Sequence, residues 1–251
     1  KKFSKNTKIK PTINEINNSI KSLDPKIKAA IDFAYSRILK FHSFQKTKNI
    51  KYLDKQNNKI EYRYIPIQSI GIYVPANLPS TLLMNAIPAK KIAKVKRVVL
   101  ANPRLNGKLN PAVMYAAKKC GISEIVSAGG SQAIASLAYI QRVNKIIGPG
   151  NDYVARAKKE VFGDVGIEGM IAGPSEITIV ADKNTNLNEV ITSMISQAEH
   201  DTNSQCILIT NNLNLIKSIK KQLKHELNKI PRKMIAKKSL LKNGLIIRVY
   251  N

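Results

Sequence analysis

Short β-branched runs alternate along most of this chain with longer stretches in which apolar residues recur at helical spacing. The runs Ile70–Val74, Arg97–Ala101, Glu124–Ala128, Lys145–Ile147, Glu176–Ala181, Gln205–Thr210 and Leu245–Val249 read as strands. Between them, Ser80–Ile92, Asn110–Cys120, Ser131–Tyr139, Asp152–Phe162, Leu187–Glu199 and Leu213–Leu227 read as helices. Strand and helix in alternation predict parallel sheets with helices on both faces, a Rossmann-like α/β fold. Such sheets hold ligands beyond the carboxyl ends of their strands, and the turn-rich segments that follow the strands are expected to lie there.

The first 69 residues carry a different pattern and are expected to form a helical N-terminal section. Thr12 with Glu15 three positions later has the form of a capping box, in which a hydroxyl and a carboxylate satisfy the free amides of a first turn. Asp24-Pro25 opens a second helix, because proline at the first helical position lacks only an amide that has no partner there. Residues 47–63 are polar and predict a loop or an exposed hairpin.

With 251 residues, 43% of them apolar, the chain can bury one large core or two smaller ones. No apolar run reaches the length of a membrane-spanning helix, and Lys1-Lys2-Phe3-Ser4 lacks the apolar core of a secretory signal, so a cytoplasmic location and no membrane partner are expected. Cys120 and Cys206 are far apart and lack metal-type spacing, which predicts core packing for both. The net charge of +26 raises the question of nucleic acid. The lysines, however, are spread along the whole chain among many Asn and Ile residues. They read as a compositional bias with solvated helix faces, and no nucleic-acid partner is expected.

Candidate chemistry sits in the second half. Ser196-Gln197-Ala198-Glu199-His200 closes an amphipathic helix with an amide and an imidazole three residues apart, on one side of the helix. Spacing by itself favours a plainer role for His200, capping the last carbonyls, since two ligands make no closed metal site. Ala172-Gly173-Pro174-Ser175-Glu176 forms a turn before a strand, where Ser175 is either a turn former or a substrate-contacting hydroxyl. No GxGxxG fingerprint is present, so pattern alone gives no dinucleotide assignment.

AGPSE followed by SQAEH resembles histidinol dehydrogenase. So do GIYVP, LPSTLLMNAIPAK, AGGSQAIASLAY, KIIGPGN and VGIEGMIAGPSE, which occur in that family's order between about Ile70 and Asn211. The resemblance implies an NAD-linked, zinc-dependent four-electron oxidation of L-histidinol to L-histidine through the aldehyde, the last steps of histidine biosynthesis, by a homodimer. It implies cofactor contacts at Tyr73, Gln132 and Asn151, substrate contacts at Ser175, Gln197 and His200, and zinc ligation by Gln197 and His200. The expected organisation is then 1–69, a cofactor-side domain over 70–174, and the start of a second domain over 175–251 that carries the substrate and metal residues. Glu199 is expected to be structural, and His42 and His225 match no motif.

The chain departs from the family pattern in two shortened loops, at Ala76-Asn77-Leu78 and between Tyr139 and Lys145, both beside the expected cofactor site. The family's catalytic Glu-His pair and its other two zinc ligands correspond to positions after Asn251, so no catalytic residue is assigned here. A fragment of a longer product is one expectation. A shortened, inactive paralogue or a basic binding protein on the same scaffold is the alternative.

Overall fold

The computed structural model describes residues 9–75, 77–168 and 175–250. The chain divides into two compact units, Lys1–Ile171 and Ala172–Asn251.

In the first unit, helix α1 (Ile13–Lys21) is capped by the Thr12 hydroxyl, which accepts from the Glu15 amide at 3.2 Å. Helix α2 (Pro25–Ser43) starts at Asp24, whose carboxylate accepts from the Lys26 amide at 2.7 Å. Strands β1 (Ile50–Leu53) and β2 (Lys59–Tyr62) then form an exposed antiparallel hairpin. Its turn is held by Asp54, which accepts from the Gln56 and Asn58 amides and from the Asn58 side chain.

The main sheet of this unit comprises β3 (Ser69–Tyr73), β4 (Arg97–Ala101), β5 (Glu124–Val126), β6 (Lys145–Ile147) and the short β7 (Gly166–Ile167), all parallel in the order β5-β4-β3-β6-β7. Its helices are α3 (Pro79–Ala86), α4 (Pro111–Cys120), α5 (Gly130–Ala135) and α6 (Asp152–Glu160). Every residue of β3 is buried, as befits a central strand covered on both sides. One face packs Ile70, Ile72, Leu100 and Ile125 against α1 to α4, so the N-terminal helices share this core. The other packs Tyr73, Val99, Val126 and Ile146 against α5 and α6.

The chain builds β3, β4 and β5 outward on one side of β3, then returns to place β6 and β7 on the other. The strand order therefore reverses between β3 and β6. At the amino ends of these two strands Ser69 and Asn144 fix the register, with the Asn144 side-chain oxygen accepting from the Ser69 amide at 3.0 Å and its hydroxyl at 2.7 Å.

The second unit holds β8 (Glu176–Ala181), α7 (Leu187–Ala198), β9 (Gln205–Thr210), α8 (Leu213–Leu227), α9 (Lys233–Asn243) and β10 (Gly244–Arg248). Its three strands are parallel in the order β10-β9-β8. Cys206 and Leu208 from β9, Ile177 and Ile179 from β8 and Ile246 from β10 form one core with all three helices. Alternation along a strand sends the intervening residues to the opposite face. There Val180, Leu245 and Ile247 are exposed and Ile207 and Ile209 are half-buried.

Two expected helices change character partway. Beyond α3 the chain runs as a π-helical turn over Ile87–Ile92, and beyond α5 over Ser136–Ile140. Pro88 accounts for the first: it has no amide to donate and its ring crowds the preceding turn, which widening relieves. Helix α9 and strand β7 were not foreseen. No helix among the described residues is long and apolar enough to cross a membrane.

Candidate functional site

The carboxyl ends of β3, β5 and β6 bring together the turns singled out in the first unit. Tyr73 is the last residue of β3 and only 6% exposed. Its hydroxyl accepts the Gly130 amide at 3.3 Å, tying the end of β3 to the turn that follows β5. A phenol that accepts one bond retains a proton to donate. Gln132, two residues further, is exposed in the first turn of α5, and its side-chain oxygen folds back toward Gly130.

Gly148 follows β6 with φ +114°, a conformation that favours glycine, and a Cβ there would overlap the Tyr73 carbonyl. The backbone after β6 thus lies directly against the end of β3, at the reversal of strand order. Asn151 closes the same turn as the N-cap of α6, its side-chain oxygen accepting from the Val154 amide at 3.2 Å. That leaves its amide nitrogen uninvolved in the cap. Tyr73 and the Gly130 and Gly148 turns therefore meet where the strand order reverses and α5 and α6 begin, the position of the crevice in a doubly wound sheet. In doubly wound sheets this is where ligands sit.

Sequence reasoning missed other polar groups here. Lys158, from the inner side of α6, is buried and bonds both Glu168 and the Gly148 carbonyl. Glu168, just after β7, accepts the Gly148 amide at 2.9 Å. Asn102, immediately after β4, is fully buried and donates to the Val74 and Pro75 carbonyls at 3.0 and 3.3 Å, fixing the chain as it leaves β3. No motif spacing marks these contacts, because each joins residues from separate elements.

In the second unit, Gln197 is the penultimate residue of α7 and His200 lies in the turn beyond it, not on the helix as the sequence pattern suggested. The His200 amide donates to the Gln197 carbonyl at 3.2 Å, which keeps the two residues one turn apart. The imidazole-bearing residue is exposed, and its carbonyl accepts from Arg232 at 3.3 Å. Gln197 is half-buried, with a side-chain nitrogen that is buried and has no hydrogen-bond partner. Glu199 is the C-cap residue of α7.

Ser175 directly precedes β8, and its carbonyl accepts the Gln205 amide at 2.9 Å. Gly173 and Pro174 of the same motif lie outside the described residues, as do Ala76 of the shortened loop and Lys1–Ser4.

These positions correct one expectation. Ser175 precedes β8, and Gln197 and His200 precede β9, so all three lie at the amino edge of the second sheet and not beyond its carboxyl ends. The helix pattern of α7 was read correctly, but a helix that leads into a strand delivers its last turn to the strand's beginning. His42, in α2, has its Nδ1 2.5 Å from the Gln45 side-chain oxygen, and His225 is exposed in the last turn of α8. Among the described residues, no three His, Cys, Asp or Glu side chains gather as a metal site would need.

Sheet order defines the class: a doubly wound α/β protein whose strand order reverses between β3 and β6. At the level of fold alone it is similar to a propionaldehyde dehydrogenase from Clostridium phytofermentans, with a TM-score of 0.53 at 12% identity over 96% of this chain and 73% of that one. A much closer likeness narrows the class. The crystal structure of histidinol dehydrogenase from Elizabethkingia anophelis superposes with a TM-score of 0.90 at 37% identity, covering 98% of this chain and 59% of that one. The histidinol dehydrogenase of Pelagibacter ubique is 58% identical over 254 residues, 98% of this chain and 59% of its own length. The family model for histidinol dehydrogenase matches residues 1–251, and the chain belongs to that family. It spans 59% of the length of these two relatives.

Proposed function

We propose that this chain supplies the dinucleotide crevice and part of the substrate and metal site of an enzyme that oxidises L-histidinol to L-histidine with NAD. The observation that carries the cofactor side is the meeting of Tyr73, Gly130 and Gly148 at the reversal of strand order. Tyr73 then offers a phenol proton to the bound nucleotide, and Gln132 and Asn151 offer side-chain amides from the turns on either side. Burial of Tyr73 favours this role, because a preorganised donor in a dry site costs little reorganisation when its partner arrives.

Ser175, Gln197 and His200 form the substrate side in this reading. An imidazole nitrogen is a common zinc donor, and an amide is a neutral oxygen donor that leaves charge to other ligands. The buried, unpartnered amide nitrogen of Gln197 fits a side chain whose partner comes from outside the described residues. Interchanging the amide's oxygen and nitrogen would put the oxygen in the same place. Zinc, when bound, orients the substrate and withdraws charge from it as a Lewis acid. Gln197 and His200 would supply two of its ligands. The remaining ligands and the acid–base pair belong, by resemblance, to polypeptide that follows in longer relatives.

Two outcomes follow for the purified chain. NADH binds saturably, and Tyr73→Ala weakens that binding by about tenfold, the scale of one or two hydrogen bonds lost from a dry site. No steady NADH formation from L-histidinol and NAD occurs, and dialysed protein retains much less than one zinc per chain. Failure of the chain to bind NADH would refute the crevice assignment. Sustained turnover would refute the assignment of the acid–base pair to other polypeptide.

A further inference from the structure

The Lys158–Glu168 pair has no part in the chemistry proposed above, yet it takes up both peptide groups of Gly148. The Glu168 carboxylate accepts the Gly148 N–H at 2.9 Å, and the Lys158 ammonium donates to the Gly148 carbonyl and to Glu168. Lys158 is 3% exposed, the one buried lysine among the described residues of this lysine-rich chain. Gly148 is buried, so its N–H and C=O need partners from the protein. Lys158 of α6 and Glu168, just after β7, supply them.

Burying an ammonium costs several kcal/mol before its partners repay it, and a buried pair is often no more stabilising than apolar residues of the same volume. Stability is therefore a weak reason for the pair to be here, and geometry is a better one. Gly148 has φ +114° and sits so close to the Tyr73 carbonyl that no larger residue fits. Its turn leads within three residues to Asn151 and the start of α6. Two charge-assisted bonds of opposite polarity fix the rotation of the peptides on both sides of Gly148. They hold the turn against the end of β3 before any ligand arrives.

We infer that Lys158 and Glu168 are positioning residues for dinucleotide binding. They act through Gly148, without touching the cofactor, by presetting the turn that carries Asn151 at the mouth of the crevice. The inference rests on the crevice being the cofactor site.

The test uses the purified 251-residue chain, NADH as probe, and the double variant Lys158→Met/Glu168→Leu, which removes both charges together so that neither is left buried and unpaired. The expected result is cooperative unfolding close to that of the parent, NADH binding weakened by about tenfold or more, and exchange of the Gly148 amide hydrogen accelerated by at least about tenfold without ligand. Glu168→Gln retains an oxygen for the Gly148 amide and is expected to recover most of the affinity. If the double variant fails to fold, Glu168→Leu compared with Glu168→Gln carries the same contrast.

The double variant, or Glu168→Leu in its place, binding NADH within about twofold of the parent overturns the inference while leaving the crevice assignment intact. Unchanged exchange at Gly148 overturns it equally. A parent chain that does not bind NADH removes the crevice assignment itself, and the inference with it.

Discussion

At the scale of single residues, the crevice depends on one glycine more than on any side chain. Gly148 combines a positive φ with backbone contact against Tyr73, whereas Gly163 has φ +105° but open space around it. Gly163→Ala is therefore expected to cost only the backbone strain, about 1 kcal/mol. Gly148→Ala must also move the end of β3 or its own turn, and should lose several kcal/mol of stability and measurable NADH affinity. Paired urea titrations read this, and equal losses for the two variants would contradict it. The two thiols offer a second prediction. Burial pushes both Cys120 and Cys206 from 9.0 up to about 11. A raised thiol value means that the fold favours the neutral form, so this contribution is complete below about pH 9 and is lost as pH rises toward 11. Alkylation of the native chain by iodoacetamide should stay slow at pH 8 and accelerate only as pH approaches 11. Prompt labelling at pH 8 in the folded state would count against it. Tyr73, Gln132 and Asn151 were singled out through the family resemblance, Tyr73 near a strand end and the other two after glycine-containing turns. Lys158 was not, since beside Lys159 near the end of α6 it reads as a solvated charge, and its partner Glu168 comes from the segment just after β7.

At the scale of elements, the strongest patterns were also the most readable. Strands β4, β6, β8 and β9 and helix α8 have the bounds that the sequence predicts, because alternating or helical apolar periodicity marks both of their ends. Helix α9 was missed for a physical reason: only Ala236 and Ser239 are fully buried and Leu240 packs beside them against the core, which leaves no apolar stripe along the helix. Strand β7 is two residues long, too short for any period to register. The π-helical turn at Ile87–Ile92 has a visible cause in Pro88, whereas the one at Ser136–Ile140 has none in the sequence. The second sheet separates covered from open strand faces, and substitutions should follow that division. Leu208→Ala, on the helix-covered face of β9, is expected to cost about 2–5 kcal/mol. Ile247→Lys, on the exposed face of β10, should change stability by less than about 1 kcal/mol. Chemical denaturation separates the two, and comparable losses would mean that the open face is packed in solution.

At the scale of the molecule, belonging to the histidinol dehydrogenase family and carrying out its reaction are separate matters, because the chain spans 59% of the length of the relatives it matches. The first unit contains a sheet covered on both faces, with a crevice assembled from its own turns. In the second, the substrate and metal candidates stand at the amino edge of a sheet with one open face. The resemblance in sequence reached the family and the order of the motifs. It could not show that buried Lys158 and half-buried Glu168 meet at Gly148, because that depends on which elements come together and spacing along one chain does not encode it. The place of Ser175, Gln197 and His200 ahead of β8 and β9 was already contained in the predicted order of helix and strand.

The measurement that bears most directly on this account is amide hydrogen exchange of the chain with and without saturating NADH. Protection is predicted to concentrate at residues 73–75, 129–132 and 148–152, the turns that border the crevice between β3 and β6. Protection confined to the lysine-rich helices α8 and α9, with those turns unchanged, would contradict it.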